Sequence, residues 1–283
     1  MDAIFDYMEK YDYENLFLCQ DKALDFKAVI AIHDTTLGPA TGGCRMWNQY
    51  AGEMEAIEDA LRLARGMTYK YAAAGVNLGG GKAVIIGDPR RKDREPVFRV
   101  LGKFINRLGG RYITGEDVGT TLTDMAYIRM ETEYVVTLPT YLGGAGDISP
   151  MTALGTLRAM QACCNRAYGC DSLQDKRVAV QGLGAVGHNI VEQLQAEGAQ
   201  LVVTDIDPAK VAAVVSRYGV EPVEPEAIYD VACDIFCPCA LGKIINDETL
   251  NRLKCKIICG SANNQLAEER HGELLEQKEM VYA

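Results

Sequence analysis

Residues Arg177–Gly187 read RVAVQGLGAVG: a short apolar run, then glycines spaced GxGxxG, then the opening of an amphipathic segment. Alone, that spacing is an ordinary glycine turn. Here the run before it reads as a strand, Ala185 to Glu197 reads as a helix, and Gln200 to Asp205 is a second strand, so the turn sits inside a βαβ unit. In that context Gly182, Gly184 and Gly187 permit a tight turn, close approach of a pyrophosphate and close packing of helix on strand. A phosphate would lie at the helix N-terminus, where unpaired backbone N–H groups and the helix dipole favour an anion. Asp205, at the end of the second strand, is placed to accept hydrogen bonds from an adenine ribose, and its charge repels a 2′-phosphate; the pattern therefore favours NAD over NADP. Asp207, just before Pro208, reads as a helix N-cap.

Outward from this unit, apolar and amphipathic stretches alternate along most of the chain, the pattern of an α/β protein. Downstream, Cys233 to Cys237 and Cys255 to Gly260 extend an open, mostly parallel, doubly wound sheet. Upstream lies a helix from Met151 to about Tyr168, preceded by LPTYLGGAGDISP (Leu138 to Pro150), whose glycines and prolines mark a hinge. The expected organisation is two domains with a cleft between them. Residues 1–138 would form a first α/β domain, and residues 139–283 a Rossmann-type NAD-binding domain. Lys27 to Asp34, Lys82 to Asp88, Tyr112 to Gly115 and Tyr134 to Thr137 read as strands of the first. Ile57, Leu61, Ala64 and Met67 fall at helical spacing and carry Lys70 at the far end of their helix.

The composition narrows the function classes. At 283 residues, 48% apolar and 24% charged, the chain suits two domains with real cores. A net charge of −10 argues against a nucleic-acid backbone or an anionic membrane as partner and favours a small molecule. The acidic start, Met1 to Glu14, does not read as a signal peptide, and no apolar run is long enough to span a bilayer. Ten dispersed cysteines without paired CxxC spacing read as reduced, cytoplasmic, structural thiols; the group around Cys233, Cys237 and Cys239 has no histidine near it in sequence, so no metal is expected.

Two lysines carry the chemical signal. Lys70 and Lys82 flank the triple glycine Gly79, Gly80 and Gly81. Crowding two ammonium groups is useful if a substrate carboxylate neutralises one and the other is driven toward a base. The competing reading is a solvated glycine loop with a snorkelling lysine. A Walker A reading fails, because Val76 stands at the first glycine and Ala83 replaces the magnesium-binding hydroxyl. In TGEDVGTT (Thr114 to Thr121), Glu116 and Asp117 follow a strand, where a carboxylate serves acid–base chemistry or caps the next helix.

Seven segments together resemble the glutamate/leucine/phenylalanine/valine dehydrogenase family, most closely its branch acting on apolar amino acids. They are GPATGGCRM (Gly38 to Met46), GMTYK (Gly66 to Lys70), GGGK (Gly79 to Lys82), Gly115 to Thr121, Gly182 to Gly187, CPCALG (Cys237 to Gly242) and GSANNQL (Gly260 to Leu266). They occur in order over essentially the whole chain. The resemblance implies reversible NAD-dependent oxidative deamination of an L-amino acid to a 2-oxo acid and ammonia. It gives Lys70 and the backbone at Gly43 the substrate carboxylate, Lys82 the activation of water, and Asp117, rather than Glu116, proton exchange with the substrate nitrogen. Thr152 and Asn263 would orient nicotinamide and substrate amino group, with Ala240 also at the cofactor. Without the resemblance, Thr152 reads as a capping threonine and Asn263 as a loop residue. Hinge closure would bring nicotinamide to substrate. The family likeness also gives the first domain substrate binding, catalysis and oligomerisation, and so implies a homo-oligomer built through it.

Thr41 and Gly115 match pocket positions where leucine-type members tend to carry Leu and Ala. Leu, Val, Ile, Met and Phe all stay open as substrates, since one methylene is worth only about 1–3 kcal/mol. The chain closes on the apolar, strand-like Met280-Val281-Tyr282-Ala283, where the resemblance implies further pocket residues and a returning helix. That departure opens two explanations, a shortened chain or a homologue that binds NAD and turns over weakly. A hydroxy-acid dehydrogenase is the third reading; such enzymes commonly use a histidine base, and His33, His188 and His271 lie outside the matched catalytic positions.

Overall fold

The structure, a computed structural model, describes residues 3–283; Met1 and Asp2 of the acidic N-terminal stretch lie outside the described residues. The chain divides into two compact units, the first ending at Asp147 and the second running Ile148–Ala283. The division falls beyond the expected 138 because the Gly- and Pro-rich stretch folds back on itself. Gly144 N donates to Pro139 O at 3.1 Å and Gly146 N to Leu138 O at 3.2 Å, which keeps these residues with the first unit.

In the first unit, β1 (Asn15–Asp21) pairs antiparallel with β2 (Phe26–Asp34), and β2 antiparallel with the long β5 (Gly79–Ile86). Two short strands share the other edge of β5, both parallel to it: β3 (Ala40–Thr41) at its start and β4 (Cys44–Trp47) farther along. The strand β6 (Tyr112–Ile113) pairs with β3. Helices α1 (Ile4–Tyr11) and α2 (Glu53–Ala73) cover one face; α3 (Arg94–Arg107) and α4 (Leu122–Arg129) cover the other. Strand alternation sorts the core. Ala28, Ile30 and Ile32 of β2 point toward Phe98 and Leu101 of α3, while Val29 and Ala31 point toward Ala60 and Leu61 of α2. Burying each Leu, Ile or Phe contributes roughly 1.5–3 kcal/mol, so both faces are needed to hold β5 in the middle.

The triple glycine is not a solvated loop. Gly79, Gly80 and Gly81 are buried and begin the central strand three residues before the expected start at Lys82. The reason is packing: a Cβ on Gly80 would collide with Thr68 Oγ1 and Ala64 O of α2, and one on Gly81 would come 2.7 Å from the Tyr112 ring. Tyr134 to Thr137, expected as a strand, forms only the bridge Thr114↔Val135. Thr137, at φ +54°, turns the chain out of extended geometry there.

The second unit begins with α5 (Ser149–Tyr168) and continues β7 (Arg177–Gln181), α6 (Ala185–Ala196), β8 (Gln200–Thr204), α7 (Pro208–Tyr218) and β9 (Glu221–Pro222). Then come β10 (Ile235–Pro238), α8 (Thr249–Arg252), β11 (Ile257–Ile258), α9 (Arg270–Gln277) and β12 (Val281–Tyr282). The sheet runs β12-β11-β10-β7-β8-β9, every pairing parallel, and its winding reverses between β7 and β10. In doubly wound sheets a ligand binds where the winding reverses, at the carboxyl ends of the strands. Val178, Val180 and Cys237 pack under α5 and α6, while Ala179, Phe236 and Ile258 pack with Leu275 of α9. Strands β10 and β11 are shorter than their apolar runs suggested. The strand-like ending becomes β12, paired to β11. No helix among the described residues is long and apolar enough to cross a membrane.

Candidate functional site

The catalytic candidates of the first unit are assembled by β4 and β5. After β6 the chain runs along β4: Cys44 N donates to Gly115 O at 2.7 Å, Cys44 and Glu116 form a parallel bridge, and Met46 N donates to Val118 O at 2.9 Å. Asp117 N donates to Thr120 Oγ1 at 2.9 Å, and that hydroxyl lies 3.0 Å from the Cys44 carbonyl it donates to. This lacing aims Asp117 back at the sheet. Its Oδ2 lies 2.9 Å from Lys82 Nζ of β5 and 3.1 Å from Arg45 Nε of β4. Lys82 is 3% exposed, and the charge it meets at 2.9 Å is the Asp117 carboxylate.

The electrostatics of the two adjacent acids diverge. Burial alone would push the Asp117 carboxyl up, but Lys82 and Arg45, by charge and by hydrogen bond, hold it well below the usual carboxylate range. Glu116 gains no such cation; burial, then the charges of Asp147, Asp124 and Asp117, push it up to about 6. Neither acid caps the next helix. Thr121 does so through a capping box with Asp124, and Arg94 grips Asp124 with Nη2 at 2.7 Å.

Gly43 packs directly on this cluster, since a Cβ there would come 2.8 Å from Asp117 Cβ. Thr41 is buried, and its hydroxyl donates to the Pro39 carbonyl at 3.2 Å, the partner the sequence could not supply. Gly115 is buried against Val136 Cγ2 and Thr137 Oγ1, each 3.2 Å from a Cβ built on it. Lys70, in the last turn of α2, is exposed.

Sequence reasoning passed over Arg45, although it lies in a quoted segment. Only 7% exposed, it donates from Nη1 to Asp59 Oδ2 at 2.8 Å, and Tyr50 Oη donates to the same oxygen at 2.7 Å. A clue existed in the alternation of β4, which leaves an arginine in a strand bracketed by the buried Cys44 and Met46. Its partners, 14 and 72 residues away, could not be read.

In the second unit, Gly182, Asp205, Ala240 and Asn263 follow the carboxyl ends of β7, β8, β10 and β11, while Thr152 lies in α5. Gly182 has φ +98°, a conformation that favours glycine, and a Cβ on it would meet Ala240 Cβ at 2.9 Å. Gly187 packs α6 against the Gly182 carbonyl. Gly184 caps α6, and a Cβ on it would meet open space, which leaves the helix N-terminus approachable by a phosphate. Asp205 accepts from Leu183 N at 2.7 Å and from Asp207 N at 2.8 Å, thereby tying the glycine turn to the end of β8. It also lines a pocket of 560 Å³ with Ile206, Val211, Val223 and Pro225. An acid at the mouth of an apolar pocket beside a glycine turn fits the ribose and adenine of a dinucleotide. Asn263 is exposed in the loop after β11, its carbonyl 2.6 Å from a Cβ built on Gly242. Thr152 does not cap α5; inside the helix, it donates Oγ1 to Ile148 O at 3.2 Å. Asp207 is the N-cap of α7, accepting from Ala209 N at 3.0 Å.

Known proteins match both units. Residues 18–134 match the Glu/Leu/Phe/Val dehydrogenase dimerisation domain, and residues 153–280 match the S-adenosyl-L-homocysteine hydrolase NAD binding domain. Leucine dehydrogenase of Thermoactinomyces intermedius is 61% identical over 280 residues, 99% of this chain and 76% of that protein. Phenylalanine dehydrogenase of Caldalkalibacillus thermarum is 48% identical over 277 residues, 96% of this chain and 75% of that protein. The crystal structure of L-tryptophan dehydrogenase from Nostoc punctiforme superposes with a TM-score of 0.71 at 42% identity, covering 99% of this chain and 80% of that one.

Proposed function

This chain belongs to the Glu/Leu/Phe/Val dehydrogenase family, and we propose that it uses its buried Lys82–Asp117 pair in the reversible oxidative deamination of an apolar L-amino acid, of Leu, Val, Ile or Phe type, with NAD. The products are the 2-oxo acid and ammonia. The observation that carries the reading is the 2.9 Å approach of Lys82 Nζ to Asp117 Oδ2, in a chain whose second unit offers a dinucleotide-binding turn.

Bound NAD supplies a hydride acceptor; the remaining steps fall to side chains of the first unit. Lys70, exposed at the end of α2, would hold the substrate carboxylate with the backbone at Gly43. Loss of hydride from the substrate α-carbon leaves an iminium, which water attacks only if a base takes its proton. Lys82 is that base in this reading. It must be neutral at the moment of attack, and Asp117 is the group within reach to exchange its proton. Asp117, kept ionised by its two cations, also takes up and returns protons of the substrate nitrogen. Thr152, Ala240 and Asn263 would contact nicotinamide or the substrate amino group, with Gly182, Gly184, Gly187 and Asp205 on the pyrophosphate and ribose. Thr41 and Gly115 would line the side-chain pocket.

Assembly into a homo-oligomer through the first unit is part of the proposal, supported by the matched dimerisation domain. So is a cytoplasmic location, supported by cysteines held as free thiols at mostly buried or half-buried positions. The deciding experiment is a steady-state panel of L-amino acids with NAD and with NADP. Reduction of NAD by apolar amino acids supports the reading; bound NAD with no turnover on any of them supports a weak NAD-binding homologue instead.

A further inference from the structure

Two cations converge on one oxygen of Asp117. Lys82 Nζ and Arg45 Nε both address Oδ2, at 2.9 and 3.1 Å. Behind Arg45 stands Asp59, whose Oδ2 accepts from Arg45 Nη1 at 2.8 Å and is itself held by Tyr50 Oη at 2.7 Å, which leaves the guanidinium little freedom to swing away. We propose that Arg45 is the positioning residue for Asp117, pinning Oδ2 alongside Lys82 so that Oδ1 is presented to the substrate nitrogen for proton exchange. The inference rests on the dehydrogenase reading above.

The residue type suits the task. A guanidinium presents N–H groups in several fixed directions, so one arginine can grip Asp117 and Asp59 together, and it does not lose its proton; a lysine ammonium reaching two carboxylates has neither property. The charges facing Asp117 come from several elements. Lys82 on β5 and Arg45 on β4 are the cations, and Glu116 is the adjacent acid, itself flanked by Asp147 and by Asp124, which is already paired to Arg94. The Cys44 thiol and Tyr112 phenol are both pushed far up by burial and stay neutral. Arg45 therefore supplies a permanent positive charge that offsets burial and the acidic surroundings.

Arg45→Gln and Arg45→Lys in the full chain test this. For Arg45→Gln the expected result is a kcat lower by about tenfold or more, a KM for the amino acid and a Kd for NAD close to those of the parent, and an acidic limb moved up by about one pH unit. Arg45→Lys should keep the acidic limb in place while losing part of kcat. Carbon-13 NMR of carboxyl-labelled aspartate gives a reading independent of turnover: the Asp117 titration should move to higher pH in Arg45→Gln. A folded Arg45→Gln protein with unmoved limb and unmoved titration overturns the proposal. If Arg45→Gln does not fold, wild-type kcat in Arg45→Lys overturns it, and a reduced kcat with an unmoved limb supports it. Should the parent protein oxidise no amino acid, the functional reading falls, while the NMR titration still decides whether Arg45 controls Asp117.

Discussion

Gly43 lies so close to Asp117 that a Cβ on it would stand 2.8 Å from Asp117 Cβ and 2.5 Å from the Glu116 carbonyl oxygen. The missing side chain is what lets the loop after β6 settle on β4 and brings the carboxylate to Lys82. Gly43→Ala should therefore displace Asp117 without unfolding the sheet. We expect kcat/KM to fall about 100-fold, with NAD affinity unchanged, as measured by steady-state kinetics and cofactor titration.

Lys82→Ala removes the base and one of the two cations on Asp117, but nothing from the second unit. A fall in kcat of about 10²–10⁴-fold is expected, with the Kd for NAD within error of wild type. Equal loss of turnover and cofactor affinity would count against the division of labour.

Glu116 provides a pH signature. It titrates at about 6 in the fold, raised by burial and by Asp147, Asp124 and Asp117, against an ordinary value near ~4.3 in the unfolded chain. The native state thus binds this proton more tightly. The resulting stabilisation is complete below about pH 4 and is lost as pH rises through about 6. Glu116→Gln should raise Tm by roughly 1–3 °C at pH 8, after allowance for solvent screening at this half-buried site, and leave it nearly unchanged at pH 4. Thermal melts across that range check it; an equal effect at both ends would remove the electrostatic explanation.

Asp205 has two duties, accepting from Leu183 N and Asp207 N while facing the pocket. Asp205→Ala should leave two backbone donors unpaired and withdraw the ribose acceptor. An increase of about tenfold or more in KM for NAD is expected, together with a smaller preference for NAD over NADP. Comparing kcat/KM for the two cofactors tests it, and an unchanged ratio would mean that another group sets the preference.

The α/β alternation, the βαβ unit around Gly182 to Gly187 and the helix under Lys70 are legible from local strand and helix periods and from glycines at a turn. Lys82 and Asp117 take their roles from the family resemblance of the segments that carry them. The rest depends on contacts across long stretches of chain. The triple glycine reads as a loop until α2 is seen lying on it, because the atoms that forbid a Cβ at Gly80 belong to Ala64 and Thr68. Whether Glu116 or Asp117 meets Lys82 is settled by hydrogen bonds to β4, and the helix cap falls to Thr121 instead. Arg45 was visible as a residue and silent as a participant. A buried guanidinium takes its role from the carboxylates that fold around it, and no local spacing encodes Asp59 and Asp117 meeting at one arginine.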